Sequence, residues 1–237
     1  MEAEGWLKIG IIGTGNMGRA LGLVWAERGH DVLFGARNPA QSQAAVALAS
    51  GLGAQARVQA GSNDEAARFG EVLLYSARGV PPAEVLSDPS VLAGKIVVDM
   101  NNGELPPDGA YPAIHRSQAE ALAAGAPEAN VVKAFNTLPA GVFELCPDAI
   151  RAYRVSSFIA GDNDAARRTV AGLAEEIGLI PVDCGKLRHA RVLEGIADTI
   201  RIMLSVKQDM PNAAFSLTNI PAVERPRLGG QQPARFA

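Results

Sequence analysis

Three glycines near the start of the chain have the spacing of a phosphate-binding turn. They lie in Gly13-Thr14-Gly15-Asn16-Met17-Gly18, between a short apolar run at residues 7–12 and apolar residues at helical spacing. After a strand and before a helix, the first glycine allows a tight turn, the second lets the backbone approach a pyrophosphate, and the third lets helix and strand pack closely. Amides at the helix start stabilise the phosphate charge. The motif predicts a dinucleotide site, and a purely structural turn is the alternative.

The end of the second predicted strand distinguishes the two common dinucleotides. An NAD site carries Asp or Glu about 20 residues after the glycines, where it binds the ribose 2′-hydroxyl. This chain has Gly35-Ala36-Arg37-Asn38 there, and we expect the nearest acid, Asp31, at the opposite edge of the sheet. Arg37 is able to pair with a 2′-phosphate and to stack on adenine. The sequence therefore predicts NADP(H) rather than NAD(H), with a solvated loop arginine as the alternative.

Polar residues follow three further predicted strands, at the edge where ligands of open α/β sheets bind. These are Ser76-Ala77-Arg78, Asn101-Asn102 and Asn136-Thr137. Their amides and hydroxyls suit the ribose and the carboxamide of nicotinamide, although Asn, Ser and Thr also cap helices and close turns. Arg78 has two open interpretations, contact with a phosphate or acidic substrate and a surface position.

No acid–base pair stands out in the sequence. We interpret the scattered histidines as structural: His30, His115 and His189. We interpret Glu194 and Asp198, one turn apart on the last predicted helix, as a solvated face. Cys146 and Cys184 lack a nearby histidine or CxxC partner, so we interpret them as packing residues, and no metal site is predicted. A carbonyl reductase needs a proton donor, whereas hydride exchange between two bound cofactors needs mainly alignment, so the missing donor favours the latter.

Strands and helices alternate along the chain with short links, which predicts an α/β fold with a Rossmann-type, doubly wound, mostly parallel sheet. The pattern places strands at residues 7–12, 32–34, 56–59, 72–75, 96–100, 131–135, 155–160 and 180–183. It predicts one helix directly after the glycine turn and further helices at residues 39–50, 162–177 and 187–207, with Asp162 as the cap of the helix that ends at residue 177. Two more helices are predicted to begin after Ser62 and near Pro81. The predicted inner face of the first helix is Met17, Ala20, Leu21 and Val24.

The chain divides into three predicted parts. We expect an NADP-binding Rossmann domain over residues 1–186 and a C-terminal helix over 187–210 that packs on this domain or on a dimer partner. The Pro-rich residues 211–237 are expected to form an irregular, extended tail. We further expect a homodimer, which an exposed apolar patch on the last helix would support. The tail is expected to wrap the second subunit or to cover the acceptor pocket through Phe215 or Arg225.

The composition excludes several classes of function. The 237 residues include 22 basic and 25 acidic side chains, a net charge of −3, which argues against nucleic-acid and anionic-membrane partners. Aromatic residues make up only 5% and glycines number 25, which suits close packing of helices on a sheet. Two cysteines form no disulfide framework, and neither a signal peptide nor a membrane span is evident. We therefore expect a cytoplasmic protein.

Four stretches of this sequence together resemble the deazaflavin (coenzyme F420)-dependent NADP reductases, whose relatives include the oxidoreductase domains of membrane ferric reductases. The stretches are residues 9–18, 35–38, 133–137 and 190–194. The resemblance implies a Rossmann domain that passes hydride between NADP(H) and a planar flavin or deazaflavin lying over the nicotinamide. It also implies that Thr14, Asn16 and Met17 line the pyrophosphate turn, that Arg37 holds the 2′-phosphate, and that the Asn136 segment lies beside the nicotinamide.

The sequence as a whole predicts an NADP(H)-dependent oxidoreductase whose second substrate is a flavin, a deazaflavin or another planar small molecule. The predicted cofactor-binding residues are Gly13, Thr14, Gly15, Asn16, Met17, Gly18, Ala36, Arg37, Asn38, Ser76, Ala77, Asn101, Asn136 and Thr137. One alternative is reduction of a small imine or carbonyl, which requires a proton donor such as Tyr75 or His115 in the cleft. The other alternative is a non-catalytic sensor that binds NADPH.

Overall fold

One eight-stranded sheet lies at the centre of the part of the chain that the computed structural model describes, which is residues 5–49, 51, 57–104, 106, 113–206 and 212–219. The strands are β1 (Lys8–Ile12), β2 (Asp31–Gly35), β3 (Arg57–Gly61), β4 (Val72–Tyr75), β5 (Ile96–Asp99), β6 (Asn130–Lys133), β7 (Ser156–Gly161) and β8 (Ile180–Asp183). The α-helices are α1 (Asn16–Glu27), α2 (Pro39–Ala49), α3 (Asn63–Phe69), α4 (Pro82–Val85), α5 (Gln118–Gly125), α6 (Pro147–Ala152), α7 (Asp164–Glu176) and α8 (Ala190–Val206). Short 3₁₀ helices occupy Pro89–Leu92, Ala140–Glu144 and Leu187–His189.

The strand order is that of a doubly wound fold. It runs β3-β2-β1-β4-β5-β6-β7-β8, with every pair from β3 to β6 parallel and β6–β7 antiparallel. The chain winds outward from β1 to β3 and then crosses back to β4, so the topological switch point lies between the carboxyl ends of β1 and β4. The predicted Rossmann-type, mostly parallel sheet is confirmed.

Helix α1 packs on the sheet through glycines as well as through apolar side chains. Its buried residues include Gly18, Leu21, Gly22 and Trp25, whereas Met17 is only half-buried. A Cβ atom on Gly22 would lie 2.4 Å from Phe34 Cε1, so this glycine sets how closely helix and sheet approach. The predicted stripe is confirmed in part: Leu21 is fully buried, and the other three residues pack half-buried against the core. The prediction omitted the glycines, which make the closest contacts.

Two further element boundaries differ from the prediction. Asn163 rather than Asp162 caps α7, because its Oδ1 accepts a hydrogen bond from Ala166 N at 3.0 Å. The last predicted helix is divided, with the 3₁₀ helix Leu187–His189 preceding α8. The cap at Ser62 is present as a reciprocal capping box with Glu65.

The outer face of α8 is exposed and apolar. Val192, Ile202 and Val206 are exposed on it, while Leu193 and Ile200 are buried on the inner face. This is the kind of surface that the sequence analysis linked to a homodimer, and the dimer itself stays a prediction.

Within the described ranges, no helix combines the length and apolar character needed to cross a membrane.

Part of the predicted tail lies against β7. Ser156 N donates to Phe215 O at 2.9 Å, and Leu217 N donates to Ser156 Oγ at 2.9 Å. Phe215 is therefore held beside the first residue of β7 through its backbone. Arg225 lies outside the described residues.

Candidate functional site

The glycine turn leaves the first amides of α1 open. Gly13 has a φ of +92°, and its N–H donates to Gly35 O at 3.1 Å and to Asn63 Oδ1 at 3.3 Å. Gly15 is the N-cap of α1 and provides no side-chain cap, and a Cβ built on it would meet no atom within 4 Å. The helix start therefore presents uncapped N–H groups to an open space. Asn63, which supports the turn through its Oδ1 atom, lies in the helix that the sequence analysis predicted after Ser62 without a role at the turn.

Thr14 adds an unpaired hydroxyl to the same turn. Its Oγ1 atom is buried and has no hydrogen-bond partner among the described residues. Buried hydroxyl groups are normally hydrogen-bonded, so an orphaned one in a turn of this kind indicates a ligand position.

An elongated cleft lies at the carboxyl ends of β1, β4, β5 and β6 and has α8 as its far wall. Its volume is about 510 Å³. The predicted residues that line it are Gly15, Asn16, Met17, Ser76, Asn101, Asn136 and Thr137. On α8, Ala197, Ile200 and Leu204 make this wall largely apolar.

A second pocket of about 300 Å³ lies on the other side of the glycine turn. The predicted residues that line it are Gly13, Thr14, Gly15, Ala36, Arg37, Ser76 and Ala77. Gly15, Ser76 and Arg78 line both cavities, so the two are contiguous. Gly18 and Asn38 line neither cavity: a Cβ on Gly18 would lie 2.3 Å from Gly13 O, and Asn38 Oδ1 accepts from Ala40 N at 3.0 Å at the start of α2.

No carboxylate of a described residue lines the second pocket. Arg37 is exposed at its rim, two residues past β2, and forms no ion pair with another described residue. Asp31 lies at the opposite end of β2, 3.5 Å from Arg57 Nη1. The nearest acid therefore lies where the sequence analysis expected it, away from the pocket.

A strained residue turns the chain into the cleft after β6. Phe135 has a φ of +61°, a left-handed conformation that is rare for a bulky side chain. It is fully buried and packs edge-on against Trp25 and Phe143, with ring centroids 5.6 and 6.5 Å apart. This packing holds the kink that directs Asn136 and Thr137 to the cleft.

Two asparagines form a closed amide pair in the cleft wall. Asn136 Nδ2 donates to Asn102 Oδ1 at 2.9 Å and to Leu193 O at 3.0 Å, and Asn102 Nδ2 donates to Asn136 O at 2.8 Å. These bonds fix the orientation of the Asn136 amide. Its Oδ1 atom is left buried without a partner among the described residues, as an acceptor in the cleft wall.

Three buried charges support this end of the cleft, and together we call them the charge network: Asp99, Lys133 and Glu194. Lys133 Nζ lies 2.8 Å from Asp99 Oδ2 and 2.6 Å from Glu194 Oε1, and also donates to Asn101 O. The three residues are 1%, 0% and 3% exposed. Burial raises the pKa of Glu194, Asp99 raises it further, and the Lys133 ammonium opposes the change. Glu194 was interpreted as part of a solvated face, and that interpretation is wrong.

The charge network holds the cleft asparagine Asn101 in place. Asp99 Oδ1 accepts hydrogen bonds from Asn101 N at 3.2 Å and from Asn101 Nδ2 at 2.8 Å. Asn101 Nδ2 also donates to Tyr75 O at 2.9 Å, and Gln118 N donates to Glu194 Oε1 at 2.8 Å. The network therefore joins α5 and α8 to the ends of β5 and β6. Sequence reasoning missed it, although a lysine inside the buried run at residues 131–135 requires an acidic partner.

Neither candidate proton donor is available in the cleft. The Tyr75 hydroxyl donates to Val80 O at 2.6 Å, burial raises the pKa of this phenol, and Tyr75 does not line the cleft. His115 is exposed ahead of α5 and is also absent from the cleft wall.

The remaining reactive residues have structural contacts or are exposed. His30 Nδ1 accepts from Leu7 N at 3.0 Å and its Nε2 lies 2.6 Å from Glu176 Oε2, in agreement with a structural role. Cys184 is half-buried, but Cys146 is exposed, so its interpretation as a packing residue is wrong. Among the described residues, no group of three or more His, Cys, Asp or Glu side chains is arranged to hold a metal ion.

The sequence and the fold of this chain are similar to those of several known proteins. The profile of the family "NADP oxidoreductase coenzyme F420-dependent" matches residues 8–103. The F420-dependent NADP reductase of Methanothermobacter marburgensis is 30% identical over 230 residues, which cover 91% of this chain and 100% of that protein. The structure of a candidate F420-dependent NADP reductase from Arthrobacter sp. FB24 superposes with a TM-score of 0.74 at 27% identity, covering 90% of this chain and 100% of that one.

A second group of relatives is longer. Metalloreductase STEAP3 of Rattus norvegicus is 32% identical over 189 residues, which cover 80% of this chain but 36% of that protein. The chain thus spans about a third of the length of the metalloreductases it matches. The end-to-end match to the methanogen reductase, together with the shared fold, confirms the resemblance carried by the sequence motifs. The chain belongs to the family of F420-dependent NADP reductases, a family of NADP-dependent oxidoreductases.

Proposed function

We propose that this chain binds NADP(H) along the two contiguous cavities and exchanges hydride with a planar flavin or deazaflavin. The observation that carries the proposal is that two neighbouring cavities share lining residues at the glycine turn. One cavity has Arg37 at its rim and the other has the asparagine pair in its wall, and Gly15 and Ser76 line both. A dinucleotide needs such a paired site, with its pyrophosphate at the glycine turn.

The glycine turn fits a pyrophosphate. The uncapped amides of α1 are donors for phosphate oxygens, and the positive end of the helix dipole favours their charge. The unpaired Thr14 hydroxyl is a further donor. Because Gly15 has no side chain, a pyrophosphate has room to approach the protein backbone there.

The second pocket fits a phosphorylated ribose. Arg37 supplies a guanidinium, which forms bidentate hydrogen bonds with phosphate. A carboxylate in this position would repel the phosphate, and none of the described residues that line the pocket carries one. These features favour NADP(H) over NAD(H).

The cleft of about 510 Å³ has room for a nicotinamide and a second flat ring. Bound NADP(H) supplies or accepts a hydride. The chain's residues orient the ring: the orphaned Asn136 Oδ1 is an acceptor for the carboxamide N–H₂, and Asn101 is fixed beside it by Asp99. Ala197, Ile200 and Leu204 present an apolar wall that excludes water from a stacked acceptor.

The acceptor is proposed to be a flavin or deazaflavin because the cleft offers alignment without an acid–base group. The hydroxyl of Tyr75 is engaged by Val80 O, and His115 is exposed elsewhere. This weakens the alternative of imine or carbonyl reduction, which depends on a proton donor. The name of the methanogen relative supports a deazaflavin.

The test is NADPH oxidation by the purified protein, followed by loss of NADPH absorbance, with F420, FMN, a ferric chelate and a cyclic imine as acceptors. We expect oxidation with F420 or FMN. Leu204→Trp, which fills the cleft from α8, should retain NADPH binding and slow oxidation. Val206→Trp, on the exposed face of the same helix, is the matched control and should oxidise NADPH like the wild type. NADPH binding without oxidation by any acceptor would contradict the proposal and favour a sensor.

A further inference from the structure

We propose that the charge network biases this site toward the oxidised cofactor, so that it binds NADP⁺ more tightly relative to NADPH than an uncharged cleft wall would. The inference rests on the proposed function, because it requires the nicotinamide to lie at the Asn101–Asn136 end of the cleft. It concerns residues whose side chains are almost wholly buried behind that wall and do not touch the cleft themselves, apart from their hold on Asn101.

The hydrogen bonds assign the charges of the network. Lys133 Nζ has three acceptors, namely Asp99, Glu194 and Asn101 O, which match the three N–H bonds of an ammonium. Asp99 accepts from Lys133 and twice from Asn101, and Glu194 accepts from Lys133 and Gln118 N. Both carboxyl groups thus face donors, as ionised carboxylates do. One cation and two anions give the buried network a net charge of −1.

The other charged groups near the cleft do not cancel this charge. Arg201 lines the cleft but is paired with Asp198, with Nη1 and Oδ1 3.1 Å apart. Arg191 is paired with Glu120 at 2.6 Å, and Arg78 is exposed, so water screens its charge. Among the described charged groups around the cleft, only the network is both buried and left with a net charge.

This excess acts differently on the two redox forms of the cofactor. The nicotinamide ring of NADP⁺ is a cation, and the ring of NADPH is neutral. NADPH becomes NADP⁺ when it gives up a hydride, which carries two electrons and a proton to the acceptor. A fixed negative charge in a medium of low dielectric constant stabilises the cationic ring and leaves the neutral one little affected. The network therefore favours hydride donation by bound NADPH.

Glu194→Gln is the direct test because it removes one charge with little change of shape. Both hydrogen bonds observed to Glu194 converge on Oε1, and the glutamine carbonyl oxygen can accept them. The measurement is the ratio of dissociation constants, Kd(NADP⁺)/Kd(NADPH), by titration at pH 8. With an effective dielectric constant of about 20, we expect the ratio to rise about threefold to tenfold. Glu128→Gln, which makes the same change at an exposed turn, is the matched control and should leave the ratio unchanged.

The ratio Kd(NADP⁺)/Kd(NADPH) responds to a change of charge near the nicotinamide but not to a general loss of cofactor binding. Loosening of the cleft weakens binding of both forms and leaves the ratio alone, so an unchanged ratio in Glu194→Gln would overturn the inference. Gln118→Glu gives a test of opposite sign that does not depend on the folding of the first variant. Gln118 lines a small cavity beside Asp99 and Asn101, and an acid is favourable at this helix N-terminus. We expect its ratio to fall, and a rise would contradict the inference.

The outcome also separates this inference from the proposed function. If the wild-type protein binds neither NADP⁺ nor NADPH, the proposed function fails and the inference fails with it. If it binds both, and the ratio is the same in wild type, Glu194→Gln and Gln118→Glu, only the inference fails.

Discussion

At the adenosine end of the proposed site, the exposed Arg37 lies two residues after the end of β2. At the nicotinamide end, three buried charged side chains support the cleft wall. The first end is assembled from neighbours in the chain: strand, glycine turn, helix and second strand. The second brings together Asp99, Lys133 and Glu194, which belong to three different elements. Loss of the Arg37 side chain is thus expected to change cofactor binding without changing the stability of the fold, whereas loss of the buried Lys133 cation is expected to change both. The predictions below test this difference.

The largest effect is expected from Lys133→Met at the nicotinamide end. This substitution leaves two carboxylates buried without their cation, which is expected to lower the free energy of unfolding by about 3–5 kcal/mol. Urea denaturation measures it. Lys186→Met, at an exposed position, should change the value by less than about 0.5 kcal/mol. A loss for Lys133→Met as small as that of Lys186→Met would mean that the network does not support the fold.

A medium effect is expected from Gly22→Ala on α1. The added methyl group would lie 2.4 Å from Phe34 Cε1, so we expect a loss of about 1–3 kcal/mol from overpacking. Gly172→Ala in α7 is the matched control, since its Cβ would meet no atom within 4 Å. That control should gain about 0.5–1 kcal/mol from helix propensity. Thermal unfolding of both variants compares them, and equal shifts would contradict the close approach of α1 to the sheet.

The smallest effect is expected from Glu120→Gln, beside the network. Hydrogen bonds from Arg191 lower the pKa of Glu120 to about 2, and Ser117 contributes to the same change. Because the pKa in the folded state lies below the ordinary value of 4.5, this contribution is present above about pH 4.5 and is lost as the pH falls toward 2. With Arg191 half-exposed, we expect about 1 kcal/mol at pH 7.

The measurement for Glu120→Gln is the difference in unfolding free energy from wild type between pH 7 and pH 3. The difference should shrink across this range. A difference that is constant with pH would show that the ion pair does not contribute, and that only the hydrogen bonds donated by Ser117 N and Ser117 Oγ to this side chain were changed.

The arrangement of the glycine turn and Arg37 could be predicted from the sequence because its information is local. The glycine spacing, the strand before it and Arg37 after β2 all lie within the first forty residues. All predicted site residues except Gly18 and Asn38 line one of the two cavities. Asn38 lines neither cavity because its side chain accepts a hydrogen bond from Ala40 N at the start of α2.

The nicotinamide end could not be predicted in the same way, because its partners are distant along the chain. Lys133 is separated from Asp99 by 34 positions and from Glu194 by 61, and an acid on a helix is on average a solvated residue. Likewise, the buried face of α1 was predicted only in part, because a count of apolar residues overlooks glycines such as Gly22, which lies close to Phe34. The charge network and the packing of α1 both involve contacts between residues that come together only once the sheet has formed.

Recognition of a 2′-phosphate by Arg37 is the feature on which the proposed NADP(H) site depends most, and calorimetric titration of NADP⁺ and NAD⁺ measures it. We expect the wild type to bind NADP⁺ at least about tenfold more tightly than NAD⁺. We expect Arg37→Ala to weaken NADP⁺ binding by about tenfold to a hundredfold without changing NAD⁺ binding or the unfolding temperature. Equal affinity of the wild type for the two dinucleotides, unchanged by Arg37→Ala, would contradict the account.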